Sequence, residues 1–267
     1  MGAMAFVVPF LRRHPAVAVI RLSGVIASGP RGLSDASLAP VIERAFRRRR
    51  PVAVALVVNS PGGSAAQSSL IAARIRRLAE EKKLPVHAFV EDVAASGGYW
   101  LATAADEIWL DENSIVGSIG VIYASFGLDR LLAKQGVDRR VHTAGESKSF
   151  MDPFAPERPE DVARLKALQG PIHDGFIGHV KARRGAKLDE GRELFTGDVW
   201  VGRQAVDLGL ADGIGHLVPM MKERFGDKVR FLPYGRRRSL LRRLGAEVVG
   251  EALGAVEERA LWARFGL

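Results

Sequence analysis

The chain has 267 residues, 47% of them hydrophobic, a formal net charge of +9 and no cysteine. It is long enough to bury a real core. The missing cysteines exclude a disulfide scaffold, thiolate metal sites and a cysteine nucleophile. The basic balance raises nucleic acid or an anionic membrane as partners. The arginines cluster at Arg47–Arg50, Lys181–Arg184 and Arg236–Arg243, each at a helix end or within a helical pattern. No DNA or RNA recognition motif accompanies them. They read first as a solvated basic face and second as a membrane-surface contact, with no nucleic acid expected. The apolar stretch Ala3–Leu11 is broken by Pro9 and has no positive charge before it. It fits neither a signal peptide nor a spanning helix. The expected location is therefore cytoplasmic or peripheral at the inner membrane.

In chain order, VAVIRL (Val17–Leu22) predicts a strand and Leu38–Arg48 a helix. VAVALVV (Val52–Val58) is a continuous apolar run of strand length, as expected for a strand covered on both faces of a parallel sheet. An amphipathic helix follows over Ser68–Glu80, a strand over Val86–Val90, and a helix over SGGYWLATAA (Ser96–Ala105). Glu107–Asp111 and Val121–Phe126 read as strands. Phe126–Gly136 reads as a helix stopped by glycine, and Val137–Gly145 as a charged strand. A long helical stretch, Glu160 to about Arg183, is expected to break briefly near Gly170-Pro171. Gly202–Leu208 predicts a helix and Val229–Tyr234 a late strand. Strands separated by helices in this order imply an α/β fold. Leu240, Leu244, Val248, Ala252, Val256 and Leu261 recur at helical spacing, so the end of the chain reads as an amphipathic helix. The expected organisation is a segment 1–15, a domain 16–235 and a helix over 236–267.

Three stretches carry candidate chemistry. In LVVNSPGGSAAQSS (Leu56–Ser69) glycines sit at a strand-to-helix turn, where backbone N–H groups stay uncovered. That is either a plain tight turn or one half of an oxyanion hole. A phosphate cradle is another option, but the G-x-x-x-x-G-K-[ST] pattern is absent. In DVAASGGYW a lone serine, Ser96, stands among alanines and glycines. It is either a helix N-cap or a nucleophile with room for a substrate backbone. In TAGESKSFMDPF (Thr143–Phe154), Lys148 lies past a strand end between serines. It is either a surface lysine or a general base. A lysine base must be neutral near pH 7, which asks burial to lower an ordinary pKa of about 10.4 by roughly three units, about 4 kcal/mol. None of the six histidines has a telling carboxylate or metal-binding spacing, so each is expected to be structural.

With VNSPGGS (Val58–Ser64), ASGGYWLA (Ala95–Ala102), GSIGVI (Gly117–Ile122), GESKSFMDPF (Gly145–Phe154) and Phe195–Gly215, the chain resembles the short form of the signal peptide peptidase A (SppA/SohB-like) serine peptidases. The resemblance implies a ClpP/crotonase-like fold with a parallel sheet core. It implies a Ser-Lys dyad, with Ser96 as nucleophile and Lys148 as general base, and Gly63 and Gly97 as the oxyanion hole. It further implies peptide substrates, such as signal-peptide remnants or segments of misfolded membrane proteins, cleaved through an acyl-enzyme. A homo-oligomeric ring and the absence of any cofactor or metal are implied as well. Family members typically carry an N-terminal membrane anchor, and this chain shows none. Its basic C-terminal helix is an alternative membrane contact. The rival readings are a crotonase-type acyl-CoA enzyme and a non-catalytic ring scaffold.

Overall fold

The computed structural model describes residues 14–29, 32–145, 148–235 and 259–267. Its frame is one eight-stranded sheet. In chain order the elements begin with β1 (Ala16–Ser23), α1 (Asp35–Arg47), β2 (Ala53–Ser60), α2 (Ala65–Lys82), β3 (Val86–Ala95) and α3 (Gly97–Ala102). They continue with β4 (Glu107–Leu110), β5 (Ile115–Gly117), α4 (Asp129–Lys134), α5 (Pro159–Arg184), β6 (Val199–Val201) and α6 (Gly202–Asp207). Last come β7 (Gly213–Ile214), α7 (Leu217–Phe225) and β8 (Arg230–Tyr234). The main path runs β6-β5-β3-β2-β1-β8, with β4 pairing both β3 and β7. Every pairing is parallel except β5 with β6. This is the α/β, ClpP/crotonase-like class expected from the sequence.

Alternation explains the layers. Ile20, Leu22, Leu56, Val58, Ala88 and Ile108 point to one face and form the large core with α1, α2 and α3. Val17, Ala53, Ala55 and Phe89 point the other way, onto Met221 of α7. β2 lies inside the sheet between β1 and β3, with six of its eight positions buried in an unbroken run. Removing the Leu56 side chain to its Cβ is expected to cost about 2–5 kcal/mol.

Local signals fix the helices. Ser34 caps α1 and exchanges hydrogen bonds with Ser37, in place of the usual glutamate. Arg74 of α2 grips Asp35 of α1 through two 2.7 Å bonds, and that guanidinium holds the Asp35 carboxyl below its ordinary range. α5 docks on α3. Phe176 stacks on Trp100 with ring centres 4.7 Å apart, and His179 stacks on the same indole at 5.0 Å. Arg183 donates to the carbonyls of Thr103 and Ala105.

Two expected strands are absent. Residues 121–126 and 137–145 are irregular and exposed, with Phe126 83% and Ile122 68% accessible. A strand needs a ladder partner, and within the chain the sheet edge beyond β5 is taken by β6. The expected break at Gly170-Pro171 is absent too. α5 is continuous through Pro171, where a proline forgoes one backbone bond while the packing of Phe176 and Val180 holds the helix in place. Strands β5, β6 and β7 and helix α7 were not anticipated. The three strands are two or three residues long, too short for periodicity to register. The expected C-terminal helix lies mostly outside the described residues, of which 259–263 are helical.

The α3–α5 contact makes a pH prediction. His179 sits half-buried between Trp100 and Arg183, and its pKa is pushed down to about 4, by burial first and the Arg183 charge second. The unfolded chain therefore takes up a proton near pH 6.5 that the folded chain refuses until about pH 4. Stability is complete above pH 6.5 and falls as the pH drops through that window. After screening of a half-exposed ring, the loss is roughly 1–2 kcal/mol. Urea melts at pH 7 and pH 4.5 should show it in wild type and show a smaller slope in His179→Gln. Equal slopes would remove His179 as the cause.

Candidate active site

The site grows from the carboxyl ends of β2 and β3. β2 delivers Ser60 into the turn Pro61-Gly62-Gly63. The buried Ser60 hydroxyl donates to the Gly24 carbonyl at 2.7 Å and accepts the Gly62 N–H at 3.2 Å, fixing the turn from within. Ile26 pairs with Gly63 in an isolated parallel bridge. Its N–H donates to the Gly62 carbonyl, and its carbonyl accepts the Ser64 N–H, both at 2.8 Å. In such a bridge the N–H of Gly63 itself faces the other way, and it meets no acceptor among the described residues.

β3 delivers Ser96. Its N–H donates to the Gly117 carbonyl at 2.8 Å, and its carbonyl accepts the Trp100 N–H at 3.0 Å. Between these anchors the serine is held at φ 52°, ψ −122°. A non-glycine residue there costs about 1–3 kcal/mol and persists only where its surroundings dictate it. Ser96 occupies the N-cap position of α3, yet its side chain makes no capping bond. Its hydroxyl has no hydrogen-bond partner among the described residues and is partly open to solvent. Capping thus does not account for this serine. A sharp strand-to-helix turn presenting a free hydroxyl is the geometry of a nucleophile elbow.

The two turns touch through glycines. A Cβ on Gly62 would stand 2.8 Å from both the Ala95 carbonyl and the Ser96 Cβ. One on Gly98 would stand 2.3 Å from the Ser60 carbonyl. One on Gly97 would stand 2.4 Å from the Ser68 hydroxyl and 3.4 Å from the Gly63 nitrogen. Gly63 and Gly97 are therefore neighbours beside Ser96. The Gly97 N–H, at the first position of α3, likewise has no acceptor among the described residues.

Lys148 makes no bond to this cluster among the described residues. It is exposed in a turn, its N–H bonded to the Gly145 carbonyl at 3.2 Å. Its side chain forms no hydrogen bond or ion pair with Ser96, or with any other residue, among the described residues. The structure thus brings Ser96, Gly63 and Gly97 together, and shows no bond between them and Lys148 among the described residues. Histidine does not replace it. His87 is buried against Glu107 and Arg224, His173 faces the Ile119 carbonyl, His179 the Thr103 hydroxyl and His216 the Asp111 carboxylate. Burial, then Arg224, lowers the His87 pKa, as befits a structural imidazole.

Three contributors escaped the sequence reading. Ser60 and Gly62 lie in the quoted motif, but their part in bracing the turn needs the third dimension. Ile26 sits 37 residues from Gly63 (63 − 26), and no local pattern announces the bridge.

The family profile of peptidase family S49 matches residues 78–224. A Brucella melitensis protein described as the Na(+)/H(+) antiporter NhaA is 47% identical over 94% of this chain. The chain spans only 37% of that protein's length. A Synechocystis protein described as a protease is 33% identical over 74% of this chain and 69% of its own length. The chloroplastic serine protease SPPA of Arabidopsis thaliana is 32% identical over 75% of this chain and 31% of its own. Among solved structures, a variant of the 1510-N membrane-bound stomatin-specific protease with a substrate peptide aligns over 86% of this chain and 96% of its own, with a TM-score of 0.50 at 16% identity. The chain belongs to peptidase family S49, the SppA/SohB-like serine peptidases.

Proposed function

We propose that this chain hydrolyses peptide bonds with Ser96 as nucleophile, Lys148 as general base and the N–H groups of Gly63 and Gly97 as oxyanion hole. The observation that carries the reading is the strained Ser96, with an unpartnered hydroxyl beside two unpartnered N–H groups. Lys148 in neutral form takes the hydroxyl proton as the Ser96 Oγ bonds to the peptide carbonyl carbon. The carbonyl oxygen gains charge and is met by the two N–H groups. The tetrahedral centre collapses, the C–N bond breaks, and the lysine returns the proton to the leaving amine. Water then attacks the acyl-serine by the same steps in reverse order, with Lys148 again as base.

An extended peptide lying along the Gly62-Gly63 turn would gain backbone hydrogen bonds. The peptide bound in the 1510-N neighbour supports peptides as the substrate class. Small neighbours such as Ala95, buried beside Ser96, favour small or apolar residues at the scissile bond. Signal-peptide remnants and segments of misfolded membrane proteins fit that preference. Lys148 must be covered to act as a base. A second copy of the chain, as in a homo-oligomeric ring, is the proposed cover. The exposed Ile122, Phe126, Leu131, Val137 and Val141, in the segment leading to Lys148, support such a contact. Sodium–proton exchange is not proposed. The chain spans 37% of the Brucella melitensis protein, and no helix among the described residues is long and apolar enough to cross a membrane.

A panel of fluorogenic peptides with small and apolar residues tests the reading. Ser96→Ala and Lys148→Ala should each lower kcat by roughly 10⁴-fold or more, with fold and assembly intact. A fluorophosphonate probe should label Ser96 in the wild type. Full activity in Lys148→Ala would move the base elsewhere, and a wild type silent on peptides and probe alike would end the peptidase reading.

The oxyanion assignment has its own test. Gly63 has φ 137°, and a Cβ there would stand 2.1 Å from the Ile26 carbonyl. Gly63→Ala should therefore lower both the melting temperature and kcat, the latter by roughly 10²-fold or more. Thermal melts and peptide hydrolysis check both. Retained kcat would take Gly63 out of the oxyanion hole.

A further inference from the structure

At the opposite end of the sheet from Ser96, the chain gathers basic residues. α1 ends at Arg47, followed by Arg48, Arg49 and Arg50 before β2, and α2 ends beside them at Lys82 and Lys83. All six are exposed. Arg47, Arg50 and Lys82 line a common recess of about 310 Å³ with Phe46, Pro51 and Leu84. Arg47 reaches Glu43 at 3.9 Å. The other five have no ion pair among the described residues.

The backbone adds a separate observation. Arg49, Arg50 and Lys83 hold φ of 64°, 49° and 52°. Glycine or asparagine is the low-cost choice in that left-handed region. Here three basic side chains occupy it, and none makes a hydrogen bond inside the molecule among the described residues. At Lys83 that conformation closes α2, with the Lys83 N–H on the Glu80 carbonyl and the Leu84 N–H on the Ala79 carbonyl; at Arg49 and Arg50 no such helix cap is formed, and a local rule broken there points outward, to a partner.

We propose that this face docks on a membrane surface carrying anionic phospholipids. The recess suits a phosphate head group held by Arg47, Arg50 and Lys82. The described chain begins at the same end. The Ala16 carbonyl accepts the Val52 N–H, and the Pro15 carbonyl accepts the Arg230 N–H. His14 thus stands next to the patch, directly after the apolar Ala3–Leu11 and the pair Arg12-Arg13. Basic residues flanking an apolar stretch favour a lipid interface over a nucleic acid. Because β2 runs eight residues between this face and the Ser60 turn, docking holds the Ser96 cluster about 26 Å from the lipid side, facing away.

Vesicle sedimentation with the full chain tests this. Binding is expected to phosphatidylcholine vesicles containing 30 mol% phosphatidylglycerol, not to phosphatidylcholine alone, and to be lost at 0.5 M NaCl, as screened charges require. The variant Arg49→Gly/Arg50→Gly/Lys83→Gly should partition about 100-fold more weakly, as three lost surface charges imply. Its melting temperature should stay within about 4 °C, since glycine relieves the left-handed cost. Arg48→Glu/Lys82→Glu, at positions without that backbone cost, should also lose binding and keeps the patch testable if the glycine variant misfolds. The proposal is overturned if wild type ignores anionic vesicles, or if both patch variants bind normally. It also fails if only Arg236→Gly/Arg237→Gly/Arg238→Gly loses binding, or if a DNA duplex is bound more tightly than the vesicles.

Discussion

The structure depends on one close approach: the carboxyl end of β2 lies against the β3–α3 elbow with no side chain between them. The Ser60 carbonyl occupies the space a Gly98 side chain would need, and the Ala95 carbonyl the space a Gly62 side chain would need. Backbone meets backbone, so the ordinary means of separating two chain segments, side-chain volume, is removed here. What remains is hydrogen bonding. Ser60 ties the turn to Gly24, Ile26 bridges its outer side, and Gly117 holds the Ser96 N–H. These contacts over-determine the elbow, which is how a serine stays at a positive φ.

That constraint also explains the placement of the free groups. Parallel strands all end on the same side, so β2 and β3 bring their last residues together even though Ser60 and Ser96 are far apart in sequence. The register shift between Val58 and Ser60 against β3 turns the following residues out of the ladder. Of the N–H groups released from the ladder there, Gly62 finds the Ser60 hydroxyl and Ser64 the Ile26 carbonyl, while that of Gly63 meets no acceptor among the described residues. Gly63 and Gly97 lie side by side, each with an N–H that meets no acceptor among the described residues. A tight turn built only for stability would close these donors onto carbonyls.

Legibility in the sequence follows the range of the forces involved. Val52–Val58 was readable because burial on both faces needs an unbroken apolar run, and Val17–Leu22 and Val86–Val90 because they are short and mostly apolar. α1 and α2 were readable because amphipathic periodicity is local. Ser96, Gly63 and Gly97 stood out because small residues in a strand-to-helix turn are unusual enough to notice. Residues 121–126 and 137–145 misled, because apolar alternation marks a strand only where a partner edge exists, and the chain supplies none. Ile26, Ser60 and Gly117 stayed hidden because their roles are set by neighbours distant in sequence.

The misread segments and Lys148 belong to one question. Between β5 and α5 the chain exposes Ile122, Phe126, Leu131, Val137 and Val141 to water and carries Lys148 in the same exposed stretch. Apolar residues repeating along two extended runs are costly as surface and ordinary as interface. The proposed base, Lys148, is likewise exposed to water. Both features resolve together if this stretch is buried by another copy of the chain. The apolar runs then find a ladder partner, and the lysine loses water in the same step. On the proposed reading, assembly would supply the desolvation that a single chain does not, so catalytic competence and quaternary structure would be one equilibrium. On that reading the rigid half of the site, Ser96 with Gly63 and Gly97, would be set by the sheet and the other half by association, which would tie hydrolysis to the assembled protein.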